Sequence, residues 1–225
     1  MNAPNSIPIK IIMVGSISVG KTSLVAKYAT GKKLLRREST KNASFVSKKK
    51  MVNGIKFEIK LWDTAGQEKY KSLTKLFTKD AKIAFLVYSI IDEQSFNELD
   101  NWLELVKSAN EDAVIYGVVA NKSDLASEKK VPDEKGKEFA KNIGAEWRTT
   151  SAIIEGEGID NFINDLFMKY YSIYFSYSNT NSLSITLSTE PSTVKKKKCC
   201  GGRDNDGNNN INQTRNDHHS KNKIK

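Results

Sequence analysis

The sequence predicts an α/β fold with a mostly parallel sheet, and two patterns carry that prediction. Short apolar runs, typical of strands buried on both faces, alternate along the chain with segments whose apolar residues recur every three or four positions. Strands that are joined through helices pair in parallel. One hairpin signal, Asn53-Gly54 between two strand-like segments, adds a single antiparallel strand.

The predicted strands and helices follow one another from the N-terminus. A first strand leads through a glycine-bounded turn into a helix at residues 22–30. A second helix places Phe96, Leu99, Leu103 and Val106 on one face, between two buried strands. A last helix repeats the i, i+3, i+4, i+7 pattern. In chain order the strands are predicted at 9–14, 45–52, 55–62, 83–88 and 114–120, and the last helix buries Ile159, Phe162, Ile163, Leu166, Phe167, Tyr170 and Tyr171.

Length and composition restrict the functional classes. The chain has 225 residues, of which 38% are hydrophobic, enough for one packed domain with extra segments. No apolar run approaches the roughly 18 residues of a membrane-spanning helix. The N-terminus resembles no secretory signal, and Asn2 excludes N-myristoylation. The two cysteines, Cys199 and Cys200, are adjacent, which excludes a disulfide framework and favours a cytosolic protein.

The net charge of +10 is distributed unevenly. Residues 175–225 hold nine lysines and arginines against four acidic residues, so under a quarter of the length carries half of the excess. The positive residues before that point form no stripe with interleaved aromatic residues, so we expect no nucleic-acid partner. The composition predicts an N-terminal extension at 1–7, one domain at 8–174 and a disordered polar tail at 175–225.

The first motif, GSISVGKT at residues 15–22, fits the phosphate-binding pattern G-x-x-x-x-G-K-[ST] between a strand and a helix. Backbone N–H groups of such a loop, together with the positive end of the following helix, surround phosphate oxygens. Lys21 would place a positive charge against the β- and γ-phosphates, and Thr22 would offer a hydroxyl to Mg²⁺. This turn is therefore predicted to bind a nucleotide.

The second motif, WDTAGQE at residues 62–68, follows the second hairpin strand. Asp63 ends that strand, in the position of an acid that holds Mg²⁺ through water. Gly66 could turn its N–H toward a γ-phosphate, and Gln67 could orient an attacking water. The motif predicts a hydrolytic function for the same site.

Two later motifs predict which base is bound. In NKSD at residues 121–124, the carboxylate of Asp124 can accept hydrogen bonds from the ring N–H and the exocyclic amine of guanine, whereas adenine offers neither donor there. The stem of Lys122 can lie over the base. In TTSA at residues 149–152, the N–H of Ala152 could meet the guanine carbonyl oxygen. Together these residues predict a guanine nucleotide.

In this order the four motifs resemble those of the Ras superfamily of small GTPases, and of its Rab branch most of all. Trp62 within WDTAGQE, EKYKS at 68–72 and LVY at 86–88 are similar to Rab signatures, and ESTKNASF at 38–45 is similar to the endosomal Rab subgroup. The resemblance covers residues 8–174. It implies a P-loop GTPase domain, with a six-stranded, mostly parallel sheet and five helices, that binds GTP or GDP with Mg²⁺, hydrolyses GTP slowly and regulates vesicle trafficking.

The resemblance also implies roles for single residues. Thr40 would be the switch I threonine, which binds Mg²⁺ through its hydroxyl and the γ-phosphate through its N–H, so that loss of this phosphate releases both switch segments. Gln67 and Lys21 would be catalytic, and Thr22, Thr40 and Asp63 would surround the metal. The implied GTP-binding residues are Gly15, Ser16, Ile17, Ser18, Val19, Gly20, Lys21, Thr22, Ser23, Thr40, Asp63, Thr64, Ala65, Gly66, Gln67, Asn121, Lys122, Asp124, Ser151 and Ala152.

The implied partners follow from the same resemblance. Phe45, Trp62 and Phe77 match the aromatic triad that Rab proteins present to effectors, with simple packing of Phe45 and Trp62 in their strands as the alternative. An exchange factor, a GTPase-activating protein, a GDP-dissociation inhibitor or escort protein, and an anionic membrane surface are the other implied partners of a monomer. The implied location is the cytoplasm, with cycling to the cytoplasmic face of an endomembrane, most of all the endosome.

Four positions depart from the Rab pattern. Ile17 stands where Rab proteins carry a small residue beside the γ-phosphate, and its branched side chain predicts slow hydrolysis even with an activating protein. Lys33 replaces an aromatic residue over the guanine, which predicts faster nucleotide release unless a neighbouring leucine covers the base. Ile153 replaces a lysine and would loosen the guanine pocket, and Lys41-Asn42 replaces Ile-Gly in switch I and would alter the effector surface.

The tail leaves its own modification open. KKKKCC at residues 195–200 is similar to a Rab prenylation tail, and two lipid chains beside a basic run anchor a protein stably to an anionic membrane. However, 25 residues follow Cys200, whereas Rab tails end within a few residues of their cysteines. Prenylation after trimming or after an earlier stop, S-palmitoylation, and unmodified thiols in a solvated basic run are the three possibilities for Cys199 and Cys200.

Two functional hypotheses follow from the sequence. The first is a Rab-like switch that binds GTP with Mg²⁺ and hydrolyses it slowly. The alternative is a non-hydrolysing or weakly nucleotide-binding GTPase-like scaffold, in which Ile17 and Lys33 prevent the ordinary cycle. A metabolic P-loop ATPase or kinase is disfavoured by Asp124, because that carboxylate suits guanine.

Overall fold

The structure, a computed structural model, describes residues 6–32, 44–64, 76–154 and 158–175. All of them belong to the first of the two units into which the chain divides, Met1–Ser184. The predictions for most of the switch segments and for the tail therefore lie outside the described residues. Within the described ranges, no helix is long and apolar enough to cross a membrane.

One six-stranded sheet forms the centre of the described domain. Its strands are β1 Ile7–Val14, β2 Ser44–Val52, β3 Ile55–Asp63, β4 Ile83–Ser89, β5 Ile115–Asn121 and β6 Glu146–Thr150. They lie in the order β2-β3-β1-β4-β5-β6, and every pairing is parallel except that of β2 with β3. The predicted mostly parallel six-stranded sheet is confirmed.

The antiparallel pair is set by its turn. Asn53 has φ 47° and Gly54 has φ 79°, so two successive residues are in the left-handed region. Such a two-residue turn matches the right-handed twist of the strands that it joins, and asparagine followed by glycine is the sequence that favours it. Val52 therefore faces Ile55 in the register, and the predicted hairpin is confirmed.

Five α-helices and one 3-10 helix lie wholly within the described ranges, and residues 76–78 are helical as well. The six helices are α1 Lys21–Thr30, α2 Glu93–Asn97, α3 Leu99–Ala109, the 3-10 helix Ser123–Glu128, α4 Asp133–Asn142 and α5 Ile159–Tyr174. The sequence predicted one helix from Phe96 to Val106, and this was wrong in one respect. The helix is divided at Glu98, which ends α2 and begins α3. The apolar spacing runs across the break without a change, so periodicity could not reveal it.

The helices cover the two faces of the sheet with separate cores. On one face, Leu24 and Tyr28 of α1 and Phe162 of α5 pack against strand residues such as Phe57 and Phe85. On the other face, the buried side of α3 and the inner side of α4 pack against β1, β4 and β5. All seven residues of β4 are buried, as predicted for a strand that is covered on both faces.

The order of the strands positions the loops that carry the motifs. In a parallel sheet the carboxyl ends of the strands lie along one edge, and β1, β3, β4, β5 and β6 are aligned in this way. β3 pairs with one side of β1 and β4 with the other, so the chain changes direction across the sheet at β1. Ligand sites of open α/β sheets lie at this kind of position.

Gly117 of β5 lies where α5 packs closely on the sheet. A Cβ at this position would lie 2.7 Å from Cδ1 of Leu166 and 2.9 Å from Cε1 of Phe85. Both of those side chains are fully buried, so neither can move into solvent. We expect Gly117→Ala to lower the free energy of unfolding by about 1–3 kcal/mol through overpacking, measured by urea denaturation.

The matched control is Gly158→Ala, at the start of α5. There φ is −99° and the nearest atom to an added Cβ is 3.6 Å away, which is an ordinary contact. We expect the control to change the free energy of unfolding by less than about 1 kcal/mol. Equal losses from the two substitutions would contradict the packing argument.

Candidate nucleotide-binding site

The loop between β1 and α1 needs two of its glycines for steric reasons. Gly15 has φ 146°, and a Cβ there would lie 2.1 Å from the carbonyl oxygen of Val87 in β4. Gly20 has φ 102°, and a Cβ there would lie 2.3 Å from Nδ2 of Asn121. The loop therefore passes close to β4 and to the end of β5. α1 begins directly after Gly20, with no side chain capping its first turn.

Lys21 is buried under this loop. Its Nζ donates to the carbonyl oxygens of Gly15, at 2.7 Å, and of Ser16, at 2.9 Å. Burial lowers the pKa of Lys21 to about 8, and the negative charge of Asp63 acts in the opposite direction. The ammonium group is thus held beside the first turn of α1, where an anion would be stabilised by both.

The end of β3 lies beside the same loop. Asp63 pairs with Met13 in the register of β1 and is buried. The hydroxyl of the next residue, Thr64, donates to the carbonyl oxygen of Met13 at 2.6 Å. This bond fixes the backbone direction at which the chain leaves β3. Asp63, the predicted acid of the metal site, lies close enough to Lys21 for its negative charge to act on that lysine and raise its pKa.

Asn121, at the end of β5, joins three of the predicted motifs. Its Nδ2 donates to the carbonyl oxygen of Val19 in the first loop, at 2.7 Å. Its Oδ1 accepts from the hydroxyl of Thr150, at the end of β6, at 3.2 Å. Asn121 is 1% exposed. The amide therefore holds other loops of the protein in place, which sequence reasoning did not distinguish from contact with the base.

The residues predicted to select the base are also linked to each other. The hydroxyl of Ser151 donates to Oδ1 of Asp124 at 2.7 Å, and it accepts from the N–H groups of Ile153 and Ile154. Lys122 precedes the 3-10 helix in the left-handed conformation, with φ 67°. The half-buried carboxylate of Asp124 is thus oriented by a neighbouring loop.

Lys27 of α1 holds the loop that contains Ser151. Its Nζ donates to the carbonyl oxygen of Ser151 at 2.7 Å and to that of Ile154. Sequence reasoning missed Lys27, because it lies outside every motif and is 124 positions from Ser151. It also missed Glu98 and Trp102, which contact Ser16 across 82 and 86 positions. No local sequence signal could have identified these pairs.

The remaining described positions of the predicted site lie on the same loops. Ile17 and Ser18 are exposed at the tip of the first loop, whereas Val19 is fully buried. Ile153, predicted to loosen the guanine pocket, is 43% exposed. Of the other members, Thr22 and Ser23 lie in the first turn of α1, and Ala152 follows Ser151. Thr149 and Thr150 are the last two residues of β6.

The three aromatic residues predicted to face effectors lie close together, with Phe45 on β2, Trp62 on β3 and Phe77 in the helical residues 76–78. The rings of Phe45 and Trp62 are 4.8 Å apart, and those of Trp62 and Phe77 are 6.2 Å apart and stacked. Phe45 is 48% exposed. Packing within the strands and exposure of one ring are therefore both present in this cluster.

Several predicted site residues lie outside the described residues. These are Thr40, Ala65, Gly66 and Gln67, with Lys33, Lys41 and Asn42 among the departures and Cys199 and Cys200 in the tail. Their predicted roles, including those of the switch threonine and the catalytic glutamine, stay predictions.

The arrangement suits a phosphate ligand. Because neighbouring atoms leave no room for a Cβ at Gly15 or Gly20, the loop backbone carries no side chain at these two positions. The first turn of α1 has no side-chain cap, so its N–H groups can donate to a ligand. No group of three or more histidine, cysteine, aspartate or glutamate residues is gathered for a metal within the described ranges. A hydroxyl, one carboxylate and phosphate oxygens are instead the hard oxygen ligands that Mg²⁺ prefers, and Thr22 and Asp63 offer the first two.

The chain is similar to known proteins over most of this domain. A family model described as the Ras family matches residues 10–172. Ras-related protein Rab-21 of Geodia cydonium is 37% identical over 157 residues, which cover 70% of this chain and 68% of that protein. Rab-21 of Homo sapiens is 35% identical, with 70% and 69% covered. Ras-related protein Rab-11B of Dictyostelium discoideum is 36% identical over 169 residues, with 73% and 75% covered.

The burial of Lys21 predicts a pH dependence of stability. Between pH 8 and its ordinary pKa of 10.5, Lys21 is largely neutral in the folded protein and protonated in the unfolded chain. The unfolded chain then binds more protons, so stability rises with pH across this window. We expect the free energy of unfolding of the nucleotide-free protein, relative to Lys21→Met, to rise by about 3 kcal/mol between these limits, measured by urea denaturation.

Lys82→Met is the control for this measurement. The ammonium group of Lys82 donates a hydrogen bond to the carboxylate of Asp112, and this bond raises the pKa of Lys82. The stabilisation from Lys82 is complete below pH 10.5 and is lost only above it, so its difference stays level in the same window. A level difference for Lys21 as well would show that burial does not shift its ionisation.

Proposed function

Because the chain belongs to the Ras family, and within it to the Rab-type small GTPases, we propose that it is a molecular switch in endosomal membrane traffic. Proteins of this family bind GTP or GDP with Mg²⁺ and hydrolyse GTP. The observation that carries the proposal is the position of the described motif residues (15–22, 62–64, 121–124 and 149–152) at one edge of the sheet, where Asn121 bonds the loop at Val19 and the end of β6. The sequence alternative, a non-hydrolysing scaffold, has no support from the family match.

Phosphate binding is assigned to the loop at residues 15–20 and to α1. The backbone N–H groups of the loop and of the first helical turn would donate to phosphate oxygens. Lys21 has three N–H donors, so the same ammonium can hold the carbonyl oxygens of Gly15 and Ser16 and also meet a phosphate oxygen. An anion beside it would favour its charged form, which burial alone disfavours.

Hydrolysis is assigned to residues on both sides of the phosphate. Gln67 would orient the attacking water, while Lys21 and the loop N–H groups stabilise the charge that develops on the transferring phosphoryl group. Thr22, Thr40 and Asp63 would hold Mg²⁺, which supplies positive charge against the phosphate oxygens. These residues would act by positioning the phosphate and stabilising its developing charge. Such a site is expected to hydrolyse GTP slowly until another positively charged group enters it.

The switch itself depends on the phosphate that is lost. Thr40 and the N–H of Gly66 would contact the γ-phosphate, so hydrolysis would release both segments. Phe45, Trp62 and Phe77 would form part of the effector surface that these segments complete, since clustered aromatic residues are frequent anchors of protein interfaces. An exchange factor, an activating protein and a GDP-dissociation inhibitor or escort protein are the proposed regulators of a monomer.

The proposed location is the cytoplasmic face of an endomembrane, the endosome first. The likeness of residues 38–45 to the endosomal Rab subgroup supports the endosome, and the similarity to Rab-21 and Rab-11B supports association with an endomembrane. The proposed layout keeps an extension at 1–7, the GTPase domain at 8–174 and a tail at 175–225. We propose that Lys195–Lys198 and a lipid on Cys199 or Cys200 provide the anchor; an intact mass without added lipid, measured on protein from its own cells, would remove that part.

Asp124→Asn tests the guanine assignment. An amide at this position can donate where the carboxylate only accepts, so it suits the extra carbonyl of xanthine and leaves the guanine donors poorly paired. We expect the affinity for GDP to fall by at least about 100-fold and the affinity for the xanthine nucleotide to rise, measured by competition with a fluorescent nucleotide.

Asp112→Asn is the control, because that exposed carboxylate lies before β5, at the opposite edge of the sheet. It should leave both affinities unchanged. If the Asp124 variant keeps its preference for GDP, the base assignment fails.

Ile17→Ala tests the predicted effect of the branched side chain on hydrolysis. Ile17 is 42% exposed at the tip of the phosphate loop, where its side chain can occupy space beside the γ-phosphate. Removing that bulk should let a catalytic group approach, and small displacements of catalytic groups change rates strongly. We expect single-turnover hydrolysis with an activating protein to accelerate by about tenfold or more.

Ile173→Ala supplies the matched control, since Ile173 is 51% exposed on α5. Its hydrolysis should equal that of the unchanged protein. Rapid stimulated hydrolysis by the unchanged protein, with no gain in the Ile17 variant, would sink the prediction.

A further inference from the structure

Two side chains from the α2–α3 segment contact the hydroxyl of Ser16 in the phosphate loop. Ser16 Oγ donates to Oε2 of Glu98, at the junction of α2 and α3. The indole Nε1 of Trp102, one helical turn further along, donates to the same Ser16 oxygen at 3.3 Å. Ser16 is 8% exposed. One residue of the loop is therefore held by an acceptor and a donor from a single helical segment.

Glu98 is itself fixed in place. Its backbone N–H donates to Gln94 at 3.1 Å, and its carbonyl oxygen accepts from the N–H of Trp102 at 3.2 Å. The other carboxylate oxygen, Oε1, accepts from Nε2 of Gln94 at 3.1 Å. The side chain of Trp102 is buried in the core between α3 and the sheet. The two groups that meet Ser16 thus belong to one hydrogen-bonded helical segment.

Ser16 also contacts the lysine of the site. Its carbonyl oxygen accepts from Nζ of Lys21 at 2.9 Å. The contacts therefore run from Glu98 through Ser16 to Lys21. Lys21 holds the loop through its backbone carbonyl oxygens, and Glu98 holds it through the Ser16 hydroxyl.

We propose that Glu98 is a positioning residue for the phosphate loop, acting through Ser16 to hold the loop in its nucleotide-binding conformation. The inference rests on the proposed function, because it concerns the affinity of the same site. Glu98 does not touch the nucleotide in this proposal. Its carboxylate fixes the Ser16 hydroxyl, which fixes the direction of the loop N–H groups that meet phosphate oxygens. A hydrogen bond to a charged acceptor is among the stronger bonds a side chain forms, so its loss is measurable.

The test is a double-substitution cycle on the rate of GDP dissociation, followed with a fluorescent GDP in the presence of Mg²⁺. Ser16→Ala and Glu98→Ala remove the two partners of one hydrogen bond. We expect each to accelerate dissociation by about tenfold, and the double variant to accelerate it by about tenfold as well rather than a hundredfold. Glu98→Gln keeps a neutral oxygen acceptor for the Ser16 hydroxyl, so it should retain part of the bond and accelerate dissociation clearly less than Glu98→Ala does.

A second measurement separates positioning from a general loss of stability. The midpoint of thermal unfolding is taken with and without saturating GDP. Positioning predicts a smaller GDP-induced rise in the Ser16→Ala and Glu98→Ala variants than in the unchanged protein, whereas a purely structural role lowers both midpoints equally. Glu104→Ala is the matched control on α3, because that glutamate is exposed and pairs only with Lys107 among the described residues. It should change neither readout.

Each outcome has one meaning. Coupled single variants, partial rescue by Glu98→Gln and a reduced GDP-induced rise support the proposal. Multiplying effects in the double variant, or equal shifts of both midpoints, overturn it while the proposed function stands. If the unchanged protein binds neither GDP nor GTP, the proposed function fails and this inference fails with it.

Discussion

A single buried amide connects the loops of the nucleotide edge. Asn121 gives one hydrogen bond to the phosphate loop at Val19 and receives one from Thr150 at the end of β6. Water cannot replace these bonds at a residue that is 1% exposed, and an unpaired buried group costs about 1–3 kcal/mol. Asn121 therefore links the phosphate loop directly to the end of β6, which leads into the loop at Ser151.

Side chains from three elements hold the phosphate loop. They are Asn121 at the end of β5, Lys21 at the start of α1, and Glu98 with Trp102 in the α2–α3 segment. The lowered pKa of Lys21 expresses the cost of keeping an ammonium group out of water. A bound phosphate would offset that cost.

Local patterns in the sequence predicted most of the fold. Asn53-Gly54 fixed the hairpin because both residues tolerate positive φ, and the apolar run of β4 indicated a strand covered on both faces. The division of one predicted helix at Glu98 was not predictable, since apolar spacing is the same on both sides of the break. Lys27 was missed for another reason: its partner Ser151 is 124 positions away and no motif includes it.

The sequence by itself determined the family and predicted the chemistry of the site, because a phosphate-loop pattern, a strand-end aspartate and an N-K-x-D carboxylate at these spacings are residue types that few other functions require together. Tertiary structure alone decided what those residues do for each other. It turned the Asn121 amide toward Val19 and Thr150, placed Lys27 under the base loop, and brought Glu98 to Ser16. The physical reason is that such bonds form between segments far apart in the chain, whose proximity is set by the order of the strands and by the close packing of helices on the sheet.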